Sequence, residues 1–249
     1  MKKSCYLVAL AAMLSGCSTQ AEEPTVLTIS AAASLSDVLQ DAAEVFRQQQ
    51  DIQLQFNFGS SGSLKEQIEQ GAPVDVFISA STDKFEELEQ KQLVKNGEIL
   101  VRNELVLITS TEGPTDVQSF SDLTRDEVEK IALGTVETVP AGTYGKQVLV
   151  YYDLWSTLEE KIVYAKDVRQ ALTYVETNNA QAGLVYKTDV LSSENVRIVQ
   201  VVDAASHDEI VYPAGVVAAT ADEASAQLFL DFLASAEMAP LWEQYGFVK

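Results

Sequence analysis

The chain has 249 residues, 17 of them basic and 37 acidic, for a formal net charge of −20. A field of that sign disfavours nucleic acid and anionic lipid surfaces, and it gives no long-range attraction to an anionic ligand. The length suits one large domain or two lobes of ordinary size, and no apolar run approaches the roughly 18 residues that would span a membrane.

The chain opens with Lys2 and Lys3, followed by an apolar run from Tyr6 to Leu14 that is too short to cross a bilayer. It closes on Leu14-Ser15-Gly16-Cys17, which resembles the bacterial lipobox. This predicts a leader over residues 1–16, with Cys17 lipidated as the mature N-terminus. A plain signal peptide that ends near a Cys is the alternative. Cys5 falls in the discarded part, so Cys17 has no disulfide partner. Residues 17–25 are polar, contain Pro24, and read as a lipidated tether able to reach about 25 Å. The expected location is outside the cytoplasm, anchored to a bacterial membrane.

From Val26 onward, strand-like and helix-like segments alternate. An apolar run to Ala32 feeds a helix with Leu35, Val38, Leu39, Ala42, Val45 and Phe46 on one face. Ile52, Leu54, Phe56 and Phe58 alternate with polar residues as a half-buried strand. A turn over residues 59–63 opens a helix to Gln70, a strand follows over 74–80, and a charged helix runs over 82–91. Strands are predicted over 105–109, 131–134, 161–165, 183–186, 197–202 and 210–217, with helices over 142–151 and 167–177. A last helix carries Leu228, Phe229, Phe232 and Leu233 on one side. Repeated strand–helix units argue an α/β fold with mostly parallel sheets.

The turns between these elements are rich in serine. Ala31-Ala32-Ala33-Ser34-Leu35-Ser36, Phe58-Gly59-Ser60-Ser61-Gly62-Ser63 and Ile78-Ser79-Ala80-Ser81-Thr82 each place hydroxyls at the carboxyl end of a strand and before a helix. Ligands of open α/β sheets bind at that edge, and free N–H groups at a helix start favour an anion. Together the turns form a cage of neutral donors without Lys or Arg, suited to an oxyanion that stays fully ionised. Ser34, Ser36, Ser60 and Ser81 are equally explicable as helix N-caps, so the pattern leaves both readings open.

Catalytic chemistry finds little support. Gly59-Ser60-Ser61-Gly62 lacks the spacing of a nucleophile elbow, and the single His, His207, lies in a polar stretch that reads as loop. A serine hydrolase would need His207 beside Ser34 or Ser61. One His and no free Cys leave only carboxylates for a metal, with no calcium-loop spacing.

Longer blocks resemble the periplasmic molybdate-binding protein family. They are Ala31–Leu35, Phe58–Leu64, Gly71–Ala80, Val139–Tyr144, Asp167–Leu172, Gly183–Tyr186, Tyr212-Pro213 and Tyr245–Phe247, in the family's order across residues 26–249. The resemblance implies two Rossmann-like α/β lobes joined by a two-segment hinge, the type II periplasmic binding protein fold. The implied bounds are 26–103 plus 208–249 for lobe 1 and 104–207 for lobe 2. It implies that the protein is no enzyme and has no cofactor. Its role would be that of an ABC-transporter receptor for molybdate and tungstate, with sulfate or another tetrahedral oxyanion as the alternative ligand. The family's contacts fall on Ser34, Ser61, the backbone N–H groups of Ala141 and Val168, and the Tyr186 hydroxyl; molybdenum would be held only as the bound oxyanion. The implied partners are a membrane permease and its ATPase, and the implied state is a monomer. Asp167 must then point away from the anion, toward Arg169 or into its own helix cap. Lys187 reads as a surface cation.

Overall fold

In the computed structural model, residues 24–113 and 115–249 are described; the predicted leader 1–16 and Cys17 lie outside them. Strand β1 (Thr25–Ala32) runs parallel to β2 (Ile52–Gly59), in register from Thr25 opposite Ile52 to Ala32 opposite Gly59. Between them α1 (Ser36–Gln49) buries Val38, Leu39, Ala42 and Phe46, the face expected from the helical spacing. Helix α2 (Ser61–Glu69) leads to β3 (Val76–Ile78), and α3 (Thr82–Gln90) leads to β4 (Val94–Arg102). Strand β3 is shorter than expected because the chain turns at Ser79, whose Oγ donates to the Ser81 carbonyl at 2.8 Å and accepts from the Ser81 N–H at 3.0 Å.

The chain then crosses at Asn103 and Glu104 into a second sheet. Strand β5 (Leu105–Ser110) is followed by β6 (Ile131–Gly134), α4 (Pro140–Tyr151), the short α5 (Trp155–Leu158), β7 (Ile162–Ala165) and α6 (Val168–Glu176). Next come β8 (Ala182–Tyr186), α7 (Lys187–Val190) and β9 (Val196–Val201). A second crossing returns to β10 (Val211–Val217), which sits in the first sheet, and α8 (Glu223–Ala234) and α9 (Ala239–Gln244) pack back on α1. The two crossings are tied where the Asn103 N–H donates to the Ile210 carbonyl at 3.0 Å.

The strand orders are β2-β1-β3-β10-β4 and β7-β6-β8-β5-β9. The expectation of mostly parallel sheets needs correction. Strand β10 is antiparallel to β3 and β4, and β5 is antiparallel to β8 and β9, so antiparallel pairings equal the parallel ones. The cause is the double crossing: β5 and β10 each enter a sheet from the other lobe and run against its βα units. Both faces of the first sheet are covered. Val76 and Ile78 enter the main core with Phe46 and Phe229, while Phe77 between them packs with Phe85, Leu64 and Leu88 under α2 and α3. Among the described residues no helix is long and apolar enough to cross a membrane.

Candidate functional site

The carboxyl ends of β1, β2 and β3 face those of β6, β7 and β8 across a small cavity. Its empty space, counted to the open mouth, is about 210 Å³. Ser34, Ser61, Ala141, Val168 and Tyr186 all line it, together with residues such as Ser60, Ala80, Pro140 and Asp167. The five expected contact residues are brought together from five separate turns, and each is at most 4% exposed.

Local structure decides which serines face the cavity. Ser60 is the N-cap of α2, its Oγ accepting from the Ser63 N–H at 3.3 Å, and Ser81 caps α3 in the same way through the Lys84 N–H. The capping reading therefore holds for Ser60 and Ser81. Ser36 is the first residue of α1 and donates to Asp37. Ser34 and Ser61 are different. The Ser61 Oγ accepts from the Ala80 N–H at 2.8 Å, which leaves its own proton free for the cavity. The Ser34 Oγ lies 2.9 Å from the Tyr212 hydroxyl and caps no helix. Of the third serine-rich turn only Ala80 reaches the cavity wall.

The second lobe contributes backbone. Pro140 occupies the start of α4, where its missing N–H costs nothing, and Ala141 follows with a first-turn N–H that has no acceptor within the helix. Helix α4 can begin so close to β6 only because residue 142 is glycine: a Cβ there would lie 2.0 Å from the Gly134 carbonyl oxygen. Val168 is the first residue of α6, again with a free N–H. Asp167 resolves the question about its direction. Its Oδ1 accepts from the Gln170 N–H at 2.8 Å, so it caps its own helix.

The Tyr186 hydroxyl stands apart. It is fully buried and has no hydrogen-bond partner among the described residues. Burial holds it well above the usual phenol range, so it stays protonated and has a proton to donate at neutral pH. An unpaired buried hydroxyl costs about 1–3 kcal/mol, which makes it a mark of a missing partner. Among the described residues no Lys or Arg lines the cavity, and Lys187 pairs instead with Glu104.

The two lobes touch around this cavity. The Gly62 N–H donates to the Thr138 carbonyl at 2.9 Å, and a Cβ on Gly62 would meet that oxygen at 2.6 Å. The Tyr144 hydroxyl donates to the Ala80 carbonyl at 3.3 Å. Arg169 reaches across from α6, its Nη2 donating to Asp37 Oδ2 at 2.7 Å, while its Nε lies 2.9 Å from Asp189 in its own lobe. Sequence reasoning missed these contacts, since nothing local marks a glycine or an arginine as a partner of a distant turn. His207 is not at the cavity; its Nδ1 contacts the Asp208 carbonyl, and neither Ser34 nor Ser61 has a His partner. No group of three or more His, Cys, Asp or Glu suited to a metal occurs among the described residues.

Known proteins share this architecture. The chain is 47% identical over 99% of its length to Bacillus subtilis (strain 168) YvgL, named as an ABC transporter substrate-binding lipoprotein, and covers 98% of it. It is 37% identical to the molybdate-binding protein ModA of Haemophilus influenzae, over 89% of each chain. The structure of the Azotobacter vinelandii periplasmic molybdate-binding protein matches with a TM-score of 0.81 at 26% identity, covering 90% of this chain and 99% of that one. The family described as bacterial extracellular solute-binding protein matches residues 27–248. The chain belongs to the bacterial extracellular solute-binding protein family.

Proposed function

We propose that this protein is the receptor of an ABC importer and captures molybdate, and with it tungstate, in the cavity between its lobes. The hydroxyls of Ser34, Ser61 and Tyr186 and the N–H groups of Ala141 and Val168 would hold the oxyanion, and molybdenum would meet the protein only in that form. The observation that carries this reading is the Tyr186 hydroxyl, a buried donor without a partner, in a wall otherwise supplied by two serine hydroxyls and two helix starts. A fully ionised dianion accepts at every oxygen, so a site built of neutral donors matches it. Among the described residues no cation lines the cavity, so release would break no buried ion pair.

The rest of the reading follows from that role. The lobes are taken as 26–103 plus 208–249 and 104–207, closing on the anion through the Gly62–Thr138 and Arg169–Asp37 contacts. The protein would act without turnover and without a cofactor, as a monomer held to the outer side of a bacterial membrane by lipid on Cys17. It would deliver the anion to a permease driven by its ATPase. The relatives named for molybdate and for lipid attachment support this reading.

Thermal unfolding with molybdate, tungstate, sulfate and phosphate in turn tests it. A ligand at about 100 times its dissociation constant adds roughly 2.7 kcal/mol to stability. Molybdate and tungstate are expected to raise the midpoint most. A midpoint unmoved by all four anions would sink the receptor reading, and equal shifts by sulfate and molybdate would sink the choice of ligand.

A further inference from the structure

Ser34 differs from the other donors in what stands behind it. A buried chain of side chains runs from the crossing segment to its hydroxyl. The Glu104 N–H donates to Asn103 Oδ1 at 2.9 Å, which fixes the amide so that Nδ2 points the other way. Nδ2 then donates to Thr188 Oγ1 at 2.9 Å and to the Tyr212 hydroxyl at 3.0 Å. Tyr212 is fully buried and already accepts from Asn103, so its own proton needs an acceptor. The acceptor among its hydrogen-bond partners is Ser34 Oγ, at 2.9 Å. Ser34 therefore accepts on its inner side, and its own proton is left for the cavity.

We infer that Asn103 and Tyr212 are positioning residues for the anion site: they set Ser34 as an obligate donor and connect its polarity to the segment on which the lobes turn. This rests on the reading of the cavity as an oxyanion site. Each link is oriented by the one before it, beginning at a backbone N–H that can only donate. Such chains also polarise their terminal hydroxyl, strengthening it as a donor. Asn103 lies between β4 and β5 and its N–H holds the other crossing at Ile210, so the relay starts at the hinge and ends at the ligand.

A double-mutant cycle on the whole folded protein separates this role from simple packing. Molybdate affinity is measured by calorimetric titration for the parent, Tyr212→Phe, Ser34→Ala and the double variant. Tyr212→Phe is expected to weaken binding by about threefold to tenfold in the parent, and by less than about twofold when Ser34 is already Ala. Equal weakening in both backgrounds, or none in the parent, overturns the relay while leaving the site intact. Absence of molybdate binding by the parent overturns the site reading and the relay with it. Should Tyr212→Phe fail to fold, Asn103→Asp serves instead, in the same two backgrounds. It keeps the acceptor for the Glu104 N–H but presents an acceptor to Tyr212, drawing the Tyr212 proton away from Ser34. The penalty from its added charge is common to both backgrounds, so a weakening that depends on Ser34 supports the relay, and one that does not depend on it overturns it.

Discussion

The two lobes use one strand order, with β1, β2, β3, β10 and β4 in the places of β6, β7, β8, β5 and β9. The donors proposed for the anion nevertheless differ in kind. After β1 and β2 the first lobe offers side-chain hydroxyls, on Ser34 and Ser61; after β6 and β7 the second offers the N–H groups of Ala141 and Val168, adding a phenol at the end of β8. Equivalent turns thus reach the same point by two routes. A hydroxyl can be deleted by one substitution, whereas a backbone donor survives any side-chain change except proline.

The largest expected effect comes from keeping the lobes apart. In Gly62→Val the new Cβ meets the Thr138 backbone, and molybdate affinity should fall by about a hundredfold or more in calorimetric titration. The ligand-free unfolding midpoint should change much less, because the obstruction lies on the other lobe. An unchanged affinity would mean that the anion does not need both lobes.

The sharpest contrast between the routes is at residue 168. Val168→Ala retains the N–H and should bind almost as the parent does. Val168→Pro removes it at a position where helices favour proline, after an extended Asp167 (φ −156°, ψ 172°). Loss of a hydrogen bond to a charged group, about 1.5–3 kcal/mol, predicts roughly tenfold to hundredfold weaker binding. Equal affinities for the two variants would remove Val168 N–H from the site.

Tyr186→Phe should weaken binding about tenfold, yet make the ligand-free protein more stable by up to about 1 kcal/mol in urea unfolding, because it deletes an unpaired buried hydroxyl. A loss of stability instead would point to a structural partner for that group.

The smallest effect on affinity is expected behind the Arg169 contact, where Asp189 is read out through stability instead. Burial raises the Asp189 carboxyl to about 6, with Arg169 opposing the shift. The folded protein then holds this proton more tightly than the unfolded chain. Stability from this group accordingly falls as pH rises from about 4 to about 6, and is level above that. Relative to the parent, Asp189→Asn should lose that part of the pH dependence across pH 4–7.

What could be read from the sequence follows the same division between side chain and backbone. The periodic segments gave α1 and β2 with little error, since their faces are written in Val38, Leu39, Phe46 and the alternation from Ile52 to Phe58. Strand β4 escaped because Val94-Lys95-Asn96-Gly97-Glu98 does not alternate, and Asn96 takes a positive φ of 56°. The antiparallel pairings escaped because β5 and β10 look like any apolar strand until their crossing is known. Ser34 and Ser61 carry their donors in view, although the same chemistry made Ser60 and Ser81 equal candidates. Ala141 and Val168 carry no such sign; only the family resemblance pointed to them, as a backbone donor leaves no trace in residue identity. Asn103 and Tyr212 meet across 109 residues of chain, beyond the reach of any local pattern.

In the proposed site, neutral donors from both lobes hold a fully ionised anion. Calorimetric titration of the protein with molybdate, repeated from about 0.05 M to about 0.5 M sodium chloride, tests it most directly. Neutral, buried donors predict one anion per chain and an affinity that changes little with salt. No binding, or an affinity that collapses as salt rises, would contradict capture by neutral buried donors.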